Sequence, residues 1–321
     1  MTQYIARRVG WVVVTVALVT LLTFAIFFLL PTGDPAVRFA GKSPREETLQ
    51  QIRQQFGLDH PWYHQYAIFV KNFFAGDEYG WPGLGFSYDS RVPIIDEIKD
   101  RAPRTIALAV GASIIWLIMG VGIGIISAVK RGTAIDRGAM GFALFGISTP
   151  VFLLGLIFLF VFWQKLGWAP GTGYVPFSES PKDWFAHLAM PWVVLALLYA
   201  AFYARMTRGN LLETMGEDYI RTARAKGLSE RKVVFKHGLR SSLTPVITLF
   251  GMDLALLVGG AVITETVFNL QGLGAWTVRA TFRGDLPAVM AVTLLLAAIV
   301  AVMNMLVDIL YAYLDPRVRY Q

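Results

Sequence analysis

Residues 106–129 read IALAVGASIIWLIMGVGIGIISAV, an apolar run that contains no charged side chain. A transmembrane helix needs roughly 20 consecutive apolar residues to cross a hydrocarbon core of about 30 Å. The composition of the whole chain agrees, because 55% of its 321 residues are hydrophobic and only 16% are charged. Soluble globular domains contain about 25% charged residues. The sequence therefore predicts an all-α integral membrane protein.

Five further apolar runs occur before and after this one, which gives about six transmembrane helices. The first run follows Arg7 and Arg8, but it is longer than the core of a signal peptide (about 7–15 residues), and no small-residue cleavage site follows Leu30. We therefore interpret it as a retained helix. The fourth run is the shortest and contains Pro191, so its ends are the least defined. The six predicted spans are residues 11–30, 106–129, 138–162, 188–203, 243–267 and 288–313.

The distribution of basic residues predicts which side of the membrane each loop faces, because short cytoplasmic loops carry an excess of Lys and Arg. With the N-terminus inside, the inner side holds 16 basic residues, nine of them in residues 205–240, whereas the two short outer loops hold four. Both termini are therefore predicted to be cytoplasmic. The net charge of +7 follows from this topology. It does not indicate nucleic-acid binding, which needs a basic face on a water-soluble domain.

The predicted spans divide the chain into four segments. Residues 1–30 are the N-terminal segment with helix 1, residues 31–104 are a large extracytoplasmic insertion between helices 1 and 2, residues 105–314 are the membrane core with a cytoplasmic loop at 205–242, and residues 315–321 are a cytoplasmic tail.

The cytoplasmic loop has a helical pattern that a simple connection does not need. Residues 217–244 read EDYIRTARAKGLSERKVVFKHGLRSSLT. A short helix is predicted over 218–226, with acidic residues at its start and basic residues near its end, as the helix dipole favours. Gly227 is positioned as its C-terminal stop, and Ser229 as the N-cap of a second helix over 230–239. From charge alone, a basic loop that only fixes topology against anionic lipid remains an alternative.

The order of residues in this loop resembles the coupling loop of permease subunits in binding-protein-dependent ABC importers. The segment YIRTARAKGL at 219–228 is similar to the B-type permeases of oligopeptide and dipeptide systems. In the wider superfamily the loop reads Glu-Ala-Ala, three residues, Gly, nine residues, Ile, one residue, Leu-Pro. Aligned on Gly227, this chain keeps Ala223 and Leu239. It departs from that pattern, as peptide-type permeases do, at Arg221, Thr222, His237 and Arg240.

The resemblance extends over nearly the whole chain. Segments similar to the same family are LPTGDP at 30–35, FGLDHP at 56–61, GGA at 259–261, ETVF at 265–268 and parts of residues 304–317.

Membership of this family would imply a type I ABC importer permease-like bundle in the cytoplasmic (inner) membrane of a bacterium or archaeon. Such a subunit is not an enzyme and holds no cofactor. Its implied partners, besides the lipid bilayer, are a second homologous permease, an extracytoplasmic substrate-binding protein, and two cytoplasmic ATPase subunits (or one fused pair) that bind ATP and Mg²⁺. The implied substrates are di- and oligopeptides, with nickel chelates or another small solute as the alternative.

The same resemblance implies that the short helix of the loop docks in a groove on an ATPase, whose closure around ATP switches the transmembrane cavity between two states. The expected docking residues are Asp218, Tyr219, Arg221, Thr222, Ala223, Lys226 and Gly227.

Three acidic residues fall within the predicted spans, where burial in lipid is costly and usually marks a functional or paired position. Asp253 lies near the middle of its span, so it is a candidate for the translocation pathway or for pairing with the second permease. Glu265 lies near the outer end and is a candidate gate residue. Asp308 lies near the inner end, where snorkelling or an ion pair with a loop arginine is the simpler explanation.

Two glycine-rich patterns are interpreted as structural. Gly41-Lys42-Ser43 lacks the first glycine and the preceding strand of a phosphate-binding loop. Gly120, Gly122 and Gly124 are expected to let helices approach closely.

Two further local patterns have simple explanations. His60 and His64 are spaced to share a metal on a helix, but no third ligand is evident. Pro150 is expected to bend the third span, because proline frees a backbone carbonyl.

Two rival function classes are testable against this interpretation. A stand-alone secondary transporter is typically built from two matching halves with interrupted helices. A membrane enzyme needs clustered acid, base or metal ligands, and the chain offers four scattered histidines and no cysteine. The absence of cysteine also excludes disulfides and thiolate chemistry.

Overall fold

The computed structural model describes residues 2–30, 34, 36–37, 40, 45–87, 89–258 and 261–314. Three features of the sequence lie outside these residues: the segment 41–43, the glycine pair at 259–260 and the predicted tail 315–321. The side chain of Asp308 also lies outside the described part.

The described chain is mostly helical, and several helices continue through a π-helical turn. The first part contains α1 (Thr2–Phe24, continued by a π turn at Ala25–Leu29), α2 (Glu46–Phe56), α3 (Trp62–Ala75), a hairpin of β1 (Phe86–Ser87) and β2 (Val92–Pro93), and α4 (Ile94–Val129). Next come α5 (Ala134–Ser148), α6 (Val151–Phe158, continued by Leu159–Lys165), α7 (Pro181–Thr214) and α8 (Asp218–Ala225). The remainder contains α9 (Glu230–Lys232, continued by Val233–Gly238), α10 (Leu239–Ser242), α11 (Thr244–Val258), α12 (Val262–Val267), α13 (Leu273–Arg283) and α14 (Leu286–Leu314).

Long apolar helices confirm that this is a helical membrane protein. Within the described residues, four single helices are long and apolar enough to cross a bilayer: Ala6–Leu29, Ile94–Val129, Pro181–Thr214 and Leu286–Val307. A fifth span is formed if the bent pair Ala134–Ser148 and Val151–Lys165 counts as one, and Thr244–Leu257 is a shorter apolar helix. The number six and the orientation of the termini stay predictions.

The third predicted span is not one continuous helix. The axes of α5 and α6 differ in direction by 103° across Thr149 and Pro150. Pro150 has extended backbone angles and precedes the first residue of α6, a position where the missing N–H of proline costs nothing. The predicted bend is confirmed, and it is a sharp break.

Two helices begin well before the apolar runs that predicted them. α4 begins at Ile94 instead of residue 106, because ion pairs between Glu97 and Arg101 and between Asp100 and Arg104 stabilise its polar first turns. α7 covers Pro181–Thr214 instead of 188–203. Its N-terminus is capped by the Ser180 hydroxyl. Hydropathy detects only the part of a helix that lipid would contact, so it underestimates such helices.

The fifth predicted span, residues 243–267, is two helices, α11 and α12. Its sequence contains the glycine pair 259–260 between them, and two consecutive glycines disfavour a continuous helix.

One compact unit comprises the described residues within the ranges 1–105, 258–262 and 271–305. Its core joins α1, the residues of the predicted insertion, α13 and the first part of α14 in a single cluster. The α1–α3 contact is aromatic: Phe24 lies 5.4 Å from Tyr66 and 5.9 Å from Phe69 between ring centroids. The buried side chains of the insertion therefore share a core with α1 and do not form a separate one.

The second compact unit comprises residues 106–257, 263–270 and, up to the last described residue, 306–314. α4 and α7 approach closely here, because a Cβ at Gly120 would lie 2.6 Å from Tyr203 Cβ, and one at Gly124 would lie 2.6 Å from Thr207 Cβ. A Cβ at Gly122 would meet nothing within 4 Å. The predicted packing role is therefore confirmed for Gly120 and Gly124 and is wrong for Gly122. This unit contains the loop at 217–240.

Candidate functional site

The loop at 217–240 folds as two helices joined at Gly227. α8 ends at Ala225, and Gly227 follows with φ of +75°, a left-handed conformation that glycine adopts without strain. The Gly227 amide donates a hydrogen bond to the carbonyl of Arg224, which closes the end of α8. Ser229 occupies the N-cap position of α9, but its side chain makes no capping hydrogen bond. The predicted helix–glycine–helix arrangement is thus present, without the predicted serine cap.

The inner face of α8 holds this loop together. Ile220 and Val233 are fully buried and Ala223 is 6% exposed. They pack against one another and against the partly buried Met215 and Leu228. The cluster joins α8 to the helix that follows it, so the two helices behave as one small packed body.

The outer face of α8 is open to solvent and carries most of the predicted docking residues. Tyr219 is 45% exposed, and the side chain of Arg221 is 73% exposed. The remaining exposed members of the predicted set are Asp218, Thr222, Lys226 and Gly227. Ala223 is the exception: it lies on the inner face and packs the helix. Sequence spacing alone did not separate these two faces.

An ion pair bridges the two helices of the loop across Gly227. Arg224 Nη2 lies 2.7 Å from Glu230 Oε1, and Arg224 Nε lies 3.1 Å from Glu230 Oε2. This two-pronged hydrogen bonding from Arg224 holds the pKa of Glu230 below its ordinary value. Arg224 and Glu230 were not among the predicted site residues.

The C-terminal end of α7 packs against the loop at 217–240. Leu211 is buried in a cluster with Ala128 of α4 and Val234 in the π-helical continuation of α9. A Cβ on Gly238 would lie 2.9 Å from the sulfur of Met215 and 3.3 Å from a methyl group of Leu211, so both side chains pack against the loop at this glycine. The loop is therefore packed directly on the last turns of α7.

A buried carboxylate near this junction was missed by sequence reasoning. Asp136, in the first turn of α5, accepts hydrogen bonds from Arg208 of α7, from Ser127 of α4 and from the Gly132 amide. The only signal in the sequence was an acidic residue three positions after Thr133, whose hydroxyl caps α5. That pattern predicts a helix start and gives no information about a partner 72 residues away.

Asp253 lies on α11 against aromatic side chains. The Tyr203 hydroxyl donates a 2.7 Å hydrogen bond to Asp253 Oδ2. Tyr203 is itself fully buried beside Trp116, which stacks on Tyr199 at 4.6 Å and meets the edge of Phe250 at 5.8 Å between centroids. No cationic side chain among the described residues forms an ion pair with Asp253. Among the described hydrogen bonds, one neutral donor therefore meets the Asp253 carboxylate.

Glu265 lies on the short helix α12 and is 1% exposed. No described hydrogen bond joins it to Asp253. Neither residue forms part of the loop at 217–240. The structure therefore distributes the sequence-predicted residues over three separate places.

Among the described residues, the histidine pair has no third side chain that would complete a metal site. The rings of His60 and His64 are 4.8 Å apart between centroids. No group of three or more His, Asp or Glu side chains that could hold a metal occurs in the described part of the chain.

Two family models of membrane transport components together match almost the whole chain. A family model described as binding-protein-dependent transport system inner membrane component matches residues 120–320. A second model, for the N-terminal part of the membrane component of the same systems, matches residues 1–109. The chain belongs to this family. It is therefore a multi-pass permease subunit of the inner membrane, and not an enzyme.

Relatives match this permease along its whole length. A Brucella abortus (strain 2308) protein, provisionally named a peptide transport system permease protein, is 42% identical over 320 residues, which is 100% of both chains. The glutathione transport system permease protein GsiC of Escherichia coli K12 is 39% identical over 322 residues, again 100% of both chains.

The fold also matches a solved ABC importer. A chain of the inward-facing MetNI methionine ABC transporter superposes on the permease with a TM-score of 0.56 at 21% identity, covering 70% of this chain and 98% of that one. This confirms the type I ABC importer permease fold. Membership of a binding-protein-dependent system also implies that the permease works with a substrate-binding protein and with ATPase partners.

Proposed function

We propose that this permease forms part of the translocation path of an importer for di- and oligopeptides. The support is the full-length similarity to two relatives named for peptide and glutathione transport, since glutathione is itself a tripeptide. The structural observation that carries the proposal is the packing of the loop at 217–240 into one rigid two-helix unit. An ATPase subunit needs such a rigid element if its movement is to be transmitted to the membrane helices.

The outer face of α8 is the proposed contact for the ATPase. Tyr219, Arg221 and Thr222 are exposed on a helix that is packed through the buried side chains of Ile220 and Ala223. A rigid helix with an aromatic and a cationic residue on its free face has the composition of a protein contact, since Tyr and Arg are enriched in binding hot spots. Ala223 contributes by letting the helix pack closely.

The proposed assembly contains this permease, a second homologous permease, and two ATPase subunits (or one fused pair) that bind ATP and Mg²⁺. An extracytoplasmic receptor delivers the substrate. The proposed receptor-facing part is the insertion 31–104. It suits this role because its residues share a core with α1, α13 and α14, so a force applied there would reach membrane helices directly.

Asp253 and Glu265 are proposed to line the pathway or its gate. An acidic residue on an apolar helix is costly unless it meets a cation, another partner or water, and Asp253 has only the Tyr203 hydroxyl among its described hydrogen bonds. The variant Asp253→Asn should therefore lower peptide uptake while leaving assembly with the second permease intact. Unchanged uptake would exclude a pathway role.

The decisive experiment is reconstitution of the complete complex in proteoliposomes, with receptor outside, ATP inside and radiolabelled dipeptide as substrate. Wild type is expected to take up dipeptide only when ATP and receptor are both present. Arg221→Glu and Lys226→Glu should lower uptake at least about tenfold, because reversing one charge in a protein contact costs on the order of 1.4 kcal/mol or more. Their expression should persist.

Lys182→Glu is the matched control, since it makes the same charge change at an exposed residue outside the loop and should leave uptake unchanged. Full uptake by the Arg221 and Lys226 variants would contradict the docking assignment. Uptake of a nickel chelate in place of dipeptide would identify the alternative substrate. Uptake by the purified chain without ATP would indicate a stand-alone transporter.

A further inference from the structure

Each oxygen of the Asp136 carboxylate accepts two hydrogen bonds, and the donors belong to three parts of the chain. Oδ1 accepts from Ser127 Oγ at 2.5 Å and from Arg208 Nε at 2.7 Å. Oδ2 accepts from the Gly132 amide at 2.8 Å and from Arg208 Nη2 at 2.9 Å. The Asp136 side chain is only 7% exposed. A buried carboxylate that accepts two hydrogen bonds from one guanidinium group and two from other donors is held in a single orientation. A shorter or a neutral side chain at position 136 would not restore this set of hydrogen bonds.

These four donors connect parts of the chain that are distant in sequence. Ser127 belongs to the last turn of α4, Gly132 to the tight turn before α5, and Arg208 to α7. The Gly132 backbone has φ of +80°, so its amide can point at the carboxylate without strain. The pair between Asp136 and Arg208 thus fastens the α4–α5 turn to α7.

The same junction leads into the loop at 217–240. Thr207, adjacent to Arg208, is packed against Gly124 of α4. Leu211, one turn after Arg208, is packed against Ala128 of α4 and Val234 of the loop. The Asp136–Arg208 pair therefore lies next to the place where α4, α7 and the loop all meet.

We propose that Asp136 and Arg208 are positioning residues for energy coupling: their ion pair makes the α4–α5 turn and α7 move as one body when the loop is displaced. Without the pair, movement of the loop would shift the end of α7 relative to α4. The displacement would then not be transmitted to α4 and α7 together. The inference rests on the proposed role of the loop. The Asp136–Arg208 pair is then a second contact, inside the permease, that transmits the movement of the loop.

The chain offers a close control. Arg205 lies on the same helix, one turn before Arg208, is exposed, and forms no ion pair within the described residues. Arg205→Gln and Arg208→Gln therefore remove the same charge from the same helix, but only the second leaves Asp136 without its principal partner.

The test uses the complete complex in proteoliposomes and measures dipeptide uptake per ATP hydrolysed. Arg208→Gln and Asp136→Asn should keep ATP hydrolysis and lower uptake per ATP about fivefold, the effect expected from a residue that transmits coupling without touching either ligand. Arg208→Lys should give an intermediate uptake per ATP, because an ammonium group keeps the positive charge but cannot reproduce the two parallel hydrogen bonds of the guanidinium group. The double variant should be no worse than either single one. Arg205→Gln should match wild type.

A second measurement does not depend on transport. Because this chain has no cysteine, spin labels can be placed on the exposed positions of Arg131→Cys and Glu213→Cys before the labelled permease is assembled with its partner subunits. The interlabel distance distribution should be narrow in wild type, with and without ATP, and broad in the Arg208→Gln background.

Two outcomes would overturn the proposal. The first is an unchanged uptake-to-hydrolysis ratio in Arg208→Gln, whether both activities persist or both fall in proportion. The second is an equally narrow distance distribution in both backgrounds. If the wild-type complex takes up no peptide, the proposed function fails, whereas the spin-label result still decides the role of the pair.

Discussion

Arg224 and Glu230 are joined by two hydrogen bonds, of 2.7 Å and 3.1 Å, that cross the turn at Gly227. The pair ties the end of α8 to the start of α9 on the side of the loop that faces solvent. The buried cluster of Ile220, Ala223 and Val233 ties the same two helices on the other side. The loop is thus held together from both of its faces.

Removal of the Arg224–Glu230 pair should loosen the loop slightly. An exposed pair of this kind contributes about 0.2–1 kcal/mol, so Glu230→Gln should increase hydrogen–deuterium exchange of the α8 amides roughly twofold. Arg224→Gln should have a similar effect, and the double variant no more than either alone. Additive increases would show that the two side chains act independently.

The pair should also respond to acid. Because Arg224 holds the pKa of Glu230 below its ordinary value, the stabilisation is present above the unfolded-state pKa of about 4.3. It is lost as the pH falls through the lower folded-state pKa. The exchange difference between wild type and Glu230→Gln should therefore be constant at neutral pH and vanish in strong acid.

Gly227→Ala should weaken the loop through backbone strain alone. An added Cβ meets nothing within 4 Å, but the φ of +75° disfavours any other residue by about 1 kcal/mol. Uptake per ATP should fall, and exchange in α8 should rise. Gly209→Ala is the control, since it is equally free of neighbours but lies inside α7, where alanine favours the helix. Equal behaviour of the two variants would contradict this explanation.

Gly124→Ala should destabilise the membrane core, whereas Gly122→Ala should not. The new methyl at 124 would lie 2.6 Å from Thr207 Cβ and 2.7 Å from the Ala204 carbonyl oxygen. Overpacking of this kind costs about 1–3 kcal/mol. Thermal unfolding in detergent, monitored by circular dichroism, should show a lower midpoint for Gly124→Ala only. A shared loss would mean that α4 packs differently.

Asp285 should make the protein more stable in mild acid. Burial raises its pKa, with Asp89 and Glu97 adding to the rise and the Ser87 hydrogen bond opposing it. Because the folded-state pKa exceeds the unfolded value of about 3.9, its contribution to stability improves as the pH falls from neutral through the raised pKa.

Asp285→Asn should therefore raise the unfolding midpoint at pH 7 and flatten its rise toward acid. Asp96→Asn removes an equal charge from an exposed site, where the Asp96 side chain is 61% exposed, and should not raise the midpoint. A lower midpoint in Asp285→Asn would show that the charged carboxylate is needed in the folded state.

The parts of the structure that follow local rules were predictable from the sequence. Apolar run length located the membrane helices, Pro150 marked the break between α5 and α6, and Gly227 marked the turn of the loop. Each of these is decided within a few residues by hydrophobicity or by backbone conformation.

The parts that depend on distant residues were not predictable. The polar start of α4 and the N-terminal extension of α7 are stabilised by ion pairs and a cap that hydropathy does not register. The hydrogen bond between Asp136 and Arg208 links positions 72 residues apart. The orientation of Ala223 depends on which side of α8 meets Val233. Such contacts are determined by the tertiary fold, and the spacing of residues in the sequence does not specify them.

The division of α8 into an inner and an outer face has a consequence for how such permeases diversify. Substitutions at Tyr219, Arg221 and Thr222 can accumulate without disturbing the packing around Ile220 and Ala223. In the proposed docking, the exposed side can therefore follow changes in the ATPase subunit while the packed side preserves the fold. Exchange of only these exposed residues with those of a related permease should, on the same proposal, allow the subunit to work with that relative's ATPase.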